Sequence, residues 1–235
     1  MKRLFDVVLS AVGLLVTSPI LLVVGAAIFF YDFGSPFYVA GRVGRFGKPF
    51  QMIKFRSMVV NADRTGVTST SSTDRRITPV GQFVRRFKVD ELIQLWNVLV
   101  GDMSLVGPRP NVPTGVAVYT SVERRLLDVR PGMTDFSSIV FADEGEILRS
   151  YEDADRAYDQ LIRPWKSRLG LFYVDNRSIW LDIRIILATL LAVVARDRAL
   201  TRTHHLLLTH GAPADLARIA LRREALAPTR PPGAT

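Results

Sequence analysis

The first pattern along the chain is an interruption of charge. Lys2, Arg3 and Asp6 are followed by a stretch from Val7 to Tyr31 without a charged residue. As a helix that stretch would reach about 37 Å at 1.5 Å per residue, against a bilayer hydrocarbon core of about 30 Å. It is longer than the 7–15 apolar residues usual for a signal peptide, roughly speaking, and the cleavage-like Gly25-Ala26-Ala27 lies in mid-run. Thr17-Ser18-Pro19 falls near its middle. Proline removes a backbone donor and crowds the preceding turn, while neighbouring hydroxyls can satisfy the freed groups in lipid. Basic residues flank both ends: Lys2 and Arg3 before, then Arg42, Arg45, Lys48, Lys54 and Arg56, with no acid from Gly34 to Val60. The positive-inside rule then places both ends in the cytoplasm. A kinked transmembrane helix and a re-entrant helix-break-helix turning at Ser18 and Pro19 both remain open on the run alone.

Beyond the run the periods shorten. Phe37–Ala40 and Phe50–Phe55 read as strands separated by a turn region containing Gly41, Gly44, Gly47 and Pro49. Asn61–Asp74, rich in Ser, Thr and Gly, reads as a mobile loop. Val80, Phe83, Val84 and Phe87 have helical spacing, as do Leu92, Leu95, Trp96 and Leu99. Lys88-Val89-Asp90-Glu91 lies between them. Gly101-Asp102 stops the second helix, and Gly107-Pro108-Arg109-Pro110 forms a rigid turn. Further helices are expected over Val116–Asp128, over Asp155–Tyr173 with a break at Pro164, and over Ser178–Ala195. Asp182 and Arg184 interrupt the last one, which therefore reads as packed or interfacial rather than as a second span. The pattern predicts a mostly α chain with a small β element (α+β): a membrane segment over 1–35, a compact body with interfacial helices over 36–200, and an Ala/Pro/Arg-rich tail over 201–235 whose last residues read as disordered, its docking on the body left open.

Composition narrows the chemistry. The mean hydropathy of +0.18 is high for a soluble domain. Thirty-one Lys and Arg against 22 Asp and Glu give a net charge of +9 over 235 residues, which suits an anionic partner such as nucleic acid, anionic lipid or a phosphorylated substrate. There is no cysteine, and His204, His205 and His210 all lie near the C-terminus. Catalysis then falls to carboxylates, lysines and arginines, and a hard cation such as Mg²⁺ is the metal that suits them. Lys54 and Arg56 alternate on a strand and share a face. Arg109 is fixed between two prolines, and an arginine fork matches phosphate oxygens. Asp90-Glu91, set among Arg85, Arg86 and Lys88, reads either as first-turn helix charge or as a nucleophile beside a metal ligand.

The stretch from Lys88 through Glu91-Leu92-Ile93-Gln94-Leu95-Trp96-Asn97 to Gly107-Pro108-Arg109-Pro110 closely resembles the core of the bacterial sugar transferases, the monotopic polyprenyl-phosphate phosphoglycosyl transferases. Ser18-Pro19, Lys54-Phe55-Arg56-Ser57-Met58, Arg130-Pro131-Gly132-Met133-Thr134 and Asn176 through Asp182 agree in order, so the resemblance covers residues 2 to about 197. It implies the re-entrant reading over 1–35, the short form of the family, a compact cytoplasmic phosphoglycosyl transferase catalytic domain over 36–200, and a place at the cytoplasmic face of the bacterial inner membrane. It also implies a UDP-sugar donor, a polyprenyl phosphate acceptor, Asp90 as the nucleophile that takes the sugar phosphate and releases UMP, and Glu91 as the Mg²⁺ ligand. Arg85 and Arg109 would bind phosphates, with Lys54, Arg56 and Asp102 supporting the site. The product would begin assembly of a glycan such as an exopolysaccharide, capsule, O-antigen or glycoprotein. An anionic membrane, self-association and downstream glycosyltransferases complete the expected partners, and nucleic acid is not among them.

This chain departs from the family pattern in places. Ile93 stands where many members have proline, Lys88 where a small hydroxyl residue is frequent, and Asp135 through Phe141 follow a Ser-Ile variant. Two other readings stand beside this one: a silent membrane scaffold of the same fold, and a membrane-anchored basic protein that binds nucleic acid, for which no reading motif is visible.

Overall fold

The computed structural model describes residues 1–62 and 74–234; the loop expected at Asn61–Asp74 falls largely on 63–73, outside the described residues. The chain is mostly helical with two small sheets, and its first element is one long apolar helix, α1 (Lys2–Asp32). That helix does not divide at Ser18-Pro19 as expected. It continues through Pro19, whose missing N–H leaves the Leu15 carbonyl without a donor; the Ser18 hydroxyl donates to that carbonyl at 2.7 Å, and Thr17 donates to Gly13 O at 2.7 Å.

Both ends of α1 are fastened to the same folded body. At the start, Lys2 Nζ reaches Asp182 Oδ2 at 2.6 Å, Arg3 donates to the Val98 and Leu99 carbonyls, and buried Asp6 accepts from Ser104 Oγ and Leu105 N. At the finish, Asp32 takes both guanidinium nitrogens of Arg56 at 2.6 Å. Between these ties, Gly13 lets Leu95 approach and Val24 and Ile28 pack with Phe55, Val84 and Val89. The opposite face, with Leu15, Val16, Leu22, Val23 and Phe30, is exposed.

β1 (Phe37–Val43) and β2 (Pro49–Phe55) pair antiparallel, longer than expected because Arg42 and Val43 continue the ladder opposite Phe50 and Pro49. α2 (Pro79–Arg86) is capped by Thr78, whose hydroxyl accepts from Gly81 N. A 3₁₀ turn over Val89–Gln94 leads into α3 (Leu95–Val100), where a single helix was expected. β3 (Ser104–Val106) pairs in parallel with β4 (Gly132–Thr134), a contact between distant segments that local periodicity does not encode. Between them the helix expected over Val116–Asp128 divides into α4 (Pro113–Ala117) and a 3₁₀ turn at Glu123–Asp128. Glu123 is fully buried there and accepts from Thr120 N, Arg163 Nη2 and Ser167 Oγ, which pins the chain locally.

α5 (Phe136–Val140), α6 (Glu144–Arg149) and α7 (Ala154–Ala157) precede a π turn at Tyr158–Ile162 and α8 (Arg163–Asn176). Pro164 opens α8 instead of breaking a longer helix, since a first-turn residue has no helical acceptor to lose. α9 (Ile179–Val194) is capped by Ser178 and follows the expected range. α10 (Arg196–Thr209) and α11 (Ala214–Ile219) correct the expected tail: Ala199, Leu200, Leu206, Leu207, Leu216, Ala217 and Ala220 all join the main core. The last residues are not disordered either. Thr229 N donates to Gln160 O, and Arg230 O and Pro232 O accept from Arg168 and Thr120.

A close backbone approach lies beside β3 and β4. A Cβ on Gly132 would stand 2.1 Å from Gly107 N and 2.3 Å from Gly107 O, so those strands cannot keep their spacing around any side chain. Gly132→Ala is expected to cost about 3 kcal/mol or more, as overpacking against rigid backbone does. Gly41→Ala, with nothing within 4 Å of its Cβ, should stay within about 0.5 kcal/mol of the parent. Thermal unfolding of the two variants in the same detergent checks the contrast.

Candidate active site

Lys88 enters the 3₁₀ turn in the left-handed conformation (φ 53°) with no side-chain cap, a strained entry for a residue with a Cβ. It places Val89 inward and Asp90 and Glu91 in the first turn. Successive residues of a 3₁₀ turn diverge by about 120°, so the two carboxylates face different surroundings.

Glu91 is clamped. Lys54 Nζ lies 3.1 Å from its Oε1, and Arg109 donates from Nη2 to Oε1 at 2.6 Å and from Nη1 to Oε2 at 3.1 Å. Burial alone would raise the Glu91 carboxyl, but the charges of Arg109 and Lys54 outweigh it and hold the carboxyl well below the usual range. Arg109 is in turn held above its ordinary value by Glu91. Each cation is itself positioned. Lys54 sits near the end of β2, whose free edge is fastened by Asn97: Ile53 N donates to Asn97 Oδ1 and Asn97 Nδ2 donates to Gln51 O. Arg109 follows Gly107, whose N–H donates to Thr134 O, and its Nη1 also reaches Met133 O.

Asp90 is the opposite case. It is half-buried, and among the described residues no other side chain hydrogen-bonds or ion-pairs with its carboxylate, which is engaged only by its own backbone N–H. Burial, and then the charge of Glu91, push its carboxyl above the ordinary value, while Lys54 and Arg85 pull the other way. The result is an unpaired carboxylate in a basic setting beside a neutralised one. Such a group can act as a nucleophile or as a proton acceptor.

The other candidates are distributed. Arg85, at the end of α2, lies close enough to act on Asp90 and lines a cavity of about 670 Å³ with Arg86, Asp143, Glu146 and Arg196. Arg56 is spent on Asp32 and the Ser35 carbonyl, so it anchors α1 and does not face Glu91. Asp102 accepts weakly from Asn97 (3.4 Å) and lines a different cavity with Arg45, Lys48 and Arg130. Ser18 and Pro19 are in mid-helix, away from this site. Asn97, Asp135 and Lys166 were not singled out from sequence. Lys166 and Asp135 line a small cavity of about 130 Å³ behind Arg109, with Lys166 ion-paired to Glu144 and Asp135 capping α5 through Ser138 N. The Asp135-x-x-Ser138 spacing is a capping signal legible in sequence.

As a metal site the arrangement is sparse. Among the described residues no group of three or more His, Cys, Asp or Glu could hold an ion. Glu91 Oε2 has one partner and retains acceptor capacity. That fits a cation arriving with a diphosphate, the manner in which Mg²⁺ is commonly bound through one or two carboxylates.

The bacterial sugar transferase family model matches residues 1–196. An uncharacterized sugar transferase of Bacillus subtilis, EpsL, is 34% identical over 206 residues, covering 87% of this chain and 92% of its own. A UDP-glucose:undecaprenyl-phosphate glucose-1-phosphate transferase of Klebsiella pneumoniae is 36% identical over 192 residues, 80% of this chain and 39% of its own. An undecaprenyl-phosphate galactose phosphotransferase of Salmonella typhimurium is 35% identical over 214 residues, 85% and 41% respectively. The chain therefore spans most of EpsL but less than half of the two larger relatives.

Two adjacent carboxylates with opposite environments should respond oppositely to neutralisation. Glu91→Gln leaves Arg109 and Lys54 without their counter-charge and is expected to cost about 1–3 kcal/mol, discounted from a fully buried pair for partial exposure. Asp90→Asn is expected to raise the thermal midpoint. The signs follow from linkage. The raised Asp90 carboxyl costs stability as pH climbs through its folded pKa, so the gain of Asp90→Asn vanishes in acid. The depressed Glu91 carboxyl contributes stability at neutral pH that is lost only when strong acid protonates it. Thermal midpoints across roughly pH 4–8 check both: the gain of Asp90→Asn should shrink toward the acid end of that range, while the cost of Glu91→Gln should stay nearly constant across it.

Proposed function

This chain belongs to the bacterial sugar transferase family, and on that premise we propose that it transfers a sugar phosphate from a UDP-sugar to polyprenyl phosphate through a covalent intermediate on Asp90. The observation that carries the reading is the division of labour in the dyad: Glu91 is neutralised by Lys54 and Arg109, and the Asp90 carboxylate beside it is left free.

In the first step an Asp90 oxygen attacks the sugar-bearing phosphorus of the donor. The bond from that phosphorus to the bridging oxygen breaks, UMP leaves with that oxygen, and an acyl phosphate forms. In the second, a phosphate oxygen of the polyprenyl phosphate attacks the same phosphorus, restoring the carboxylate and giving a polyprenyl diphosphate sugar. Arg109 and Lys54 would pass part of their hydrogen bonding from Glu91 to the incoming phosphates, and Arg85 would contact them from the α2 side. Mg²⁺, held by Glu91 and donor oxygens, would offset the diphosphate charge. Ionised Asp90 needs no partner base, which agrees with a chain whose only histidines lie at 204, 205 and 210.

A membrane setting follows from α1. Its two ends hold to one body through Lys2–Asp182 and Asp32–Arg56, and its outer face is apolar. This supports an unbroken helix lying with its apolar face in the cytoplasmic leaflet of the inner membrane and both ends on one side, delivering the site to the surface where a lipid phosphate and a soluble nucleotide sugar meet. The product would initiate glycan assembly.

With Mg²⁺, a panel including UDP-glucose and UDP-galactose, and no acceptor, one donor is expected to give a burst of about one UMP per enzyme, with steady turnover only after polyprenyl phosphate is added. Asp90→Asn should lose the burst by about 10³-fold or more, and chelating Mg²⁺ should suppress it. An unchanged burst in Asp90→Asn overturns the nucleophile assignment; no UMP with any nucleotide sugar favours the silent scaffold. Topology has its own test, eased by the absence of native cysteine. A cysteine placed ahead of Met1 and another at Ser35→Cys should both react with an impermeant thiol reagent from the cytoplasmic side of sealed vesicles. Labelling from opposite sides means that α1 crosses.

A further inference from the structure

Away from Asp90 and Glu91, a second basic region surrounds the start of α1. Two adjoining cavities, of about 150 and 400 Å³, share Arg45 and Arg130. Together their walls carry six cations and three carboxylates, so the region is net positive. How the arginines are held matters more than the count. Arg3 donates to Val98 O and Leu99 O, Arg130 to Gly101 O, Arg45 to Asp128 O and Arg177 to Val174 O. Each guanidinium is thus oriented by a neutral carbonyl, and among the described residues none of the four is ion-paired to a carboxylate. Of the three acids, Asp6 is buried and engaged by Ser104 and Leu105, Asp102 meets Asn97, and Asp128 is exposed at the rim. Lys48 adds an exposed ammonium.

The depth of this region follows from the elements that frame it. The apolar outer face of α1 begins at Leu4, 68% exposed, directly after Lys2 and Arg3. Trp180, 75% exposed, stands at the start of α9 just beyond Arg177, the kind of ring that settles at headgroup level. Phe46 is held in the left-handed conformation (φ 58°), 64% exposed, with the Arg45 guanidinium 4.3 Å from its ring centroid. A non-glycine residue kept there points to a purpose for the tip. Carbonyl-anchored arginines under an apolar tip, at the depth where α1 enters lipid, fit a phosphodiester whose acyl chains run outward.

We infer that the Arg3–Arg45–Lys48–Arg130–Arg177 pocket binds the phosphate headgroup of an anionic membrane lipid, separately from the polyprenyl phosphate site. The bound headgroup would fix the start of α1, and hence the distance of the Asp90 site above the bilayer. The inference rests on α1 lying in lipid, which cysteine labelling tests independently.

Native mass spectrometry of the full chain, in detergent doped with phosphatidylglycerol or phosphatidylcholine, reads the outcome. Phosphatidylglycerol is expected to be retained about tenfold more than phosphatidylcholine, and Arg45→Gln combined with Lys48→Gln should remove that preference. Arg45 holds Asp128 O, so Lys48→Glu, which breaks no hydrogen bond, is the second variant and should weaken retention while leaving the UMP burst and thermal midpoint unchanged. Equal retention of the two lipids, undiminished preference in both variants, or loss of the lipid to millimolar inorganic phosphate overturns the headgroup assignment.

Discussion

The site depends on one shared carboxylate. Glu91 accepts from Lys54, which β2 carries, and from Arg109, which the turn after β3 carries, and so joins two segments that approach it from far apart in sequence. Because those two cations are satisfied by Glu91, they do not close on Asp90. Arginine and lysine near a free carboxylate would ordinarily ion-pair with it and blunt its nucleophilicity. Here the neighbouring acid absorbs them, and the long-range field of Lys54 and Arg85 only moderates the rise that burial and Glu91 impose on the Asp90 carboxyl. The arrangement is preorganised, with cations gathered around Glu91 beside a carboxylate that they do not ion-pair.

The same strand ties this site to the apolar helix α1. Lys54 reaches Glu91, and two residues on, Arg56 takes Asp32 in a bidentate pair at the end of α1. Asn97 fastens the free edge of β2, and α3, which carries Asn97, has its C-terminal carbonyls held by Arg3 from the start of α1. Both ends of the apolar helix are thus mechanically continuous with the residues that position Glu91. A transfer between a lipid and a soluble nucleotide, as proposed, would gain from that continuity, since it would fix the height of Asp90 relative to the bilayer.

Much of this was legible in the sequence, and the exceptions share a cause. Asp90, Glu91, Lys54 and Arg109 stand out because carboxylates and cations cluster near turn signals in a chain without cysteine. That Glu91 is the clamped acid and Asp90 the free one was not legible, because it depends on a 3₁₀ turn entered through left-handed Lys88, where local spacing suggested an ordinary helix. Arg56 shares a face with Lys54 as strand alternation implies, yet its partner Asp32 is set by where α1 ends. The β3–β4 pair and the division of 116–128 at Glu123 arise from contacts between distant segments. Ala199, Thr203, Leu206 and Leu207 do have helical spacing, but arginine and proline around them disguised a core helix as a tail.

The central claim is that Asp90, and not Glu91, carries the transferred group. Intact-mass analysis of the full chain, held with Mg²⁺ and a UDP-sugar but without polyprenyl phosphate, tests it most directly. The expected result is a single phosphosugar adduct that maps to the peptide containing Asp90, is absent in Asp90→Asn, and disappears when polyprenyl phosphate is added. UMP release with no adduct at any time, or an adduct that persists in Asp90→Asn, would contradict it.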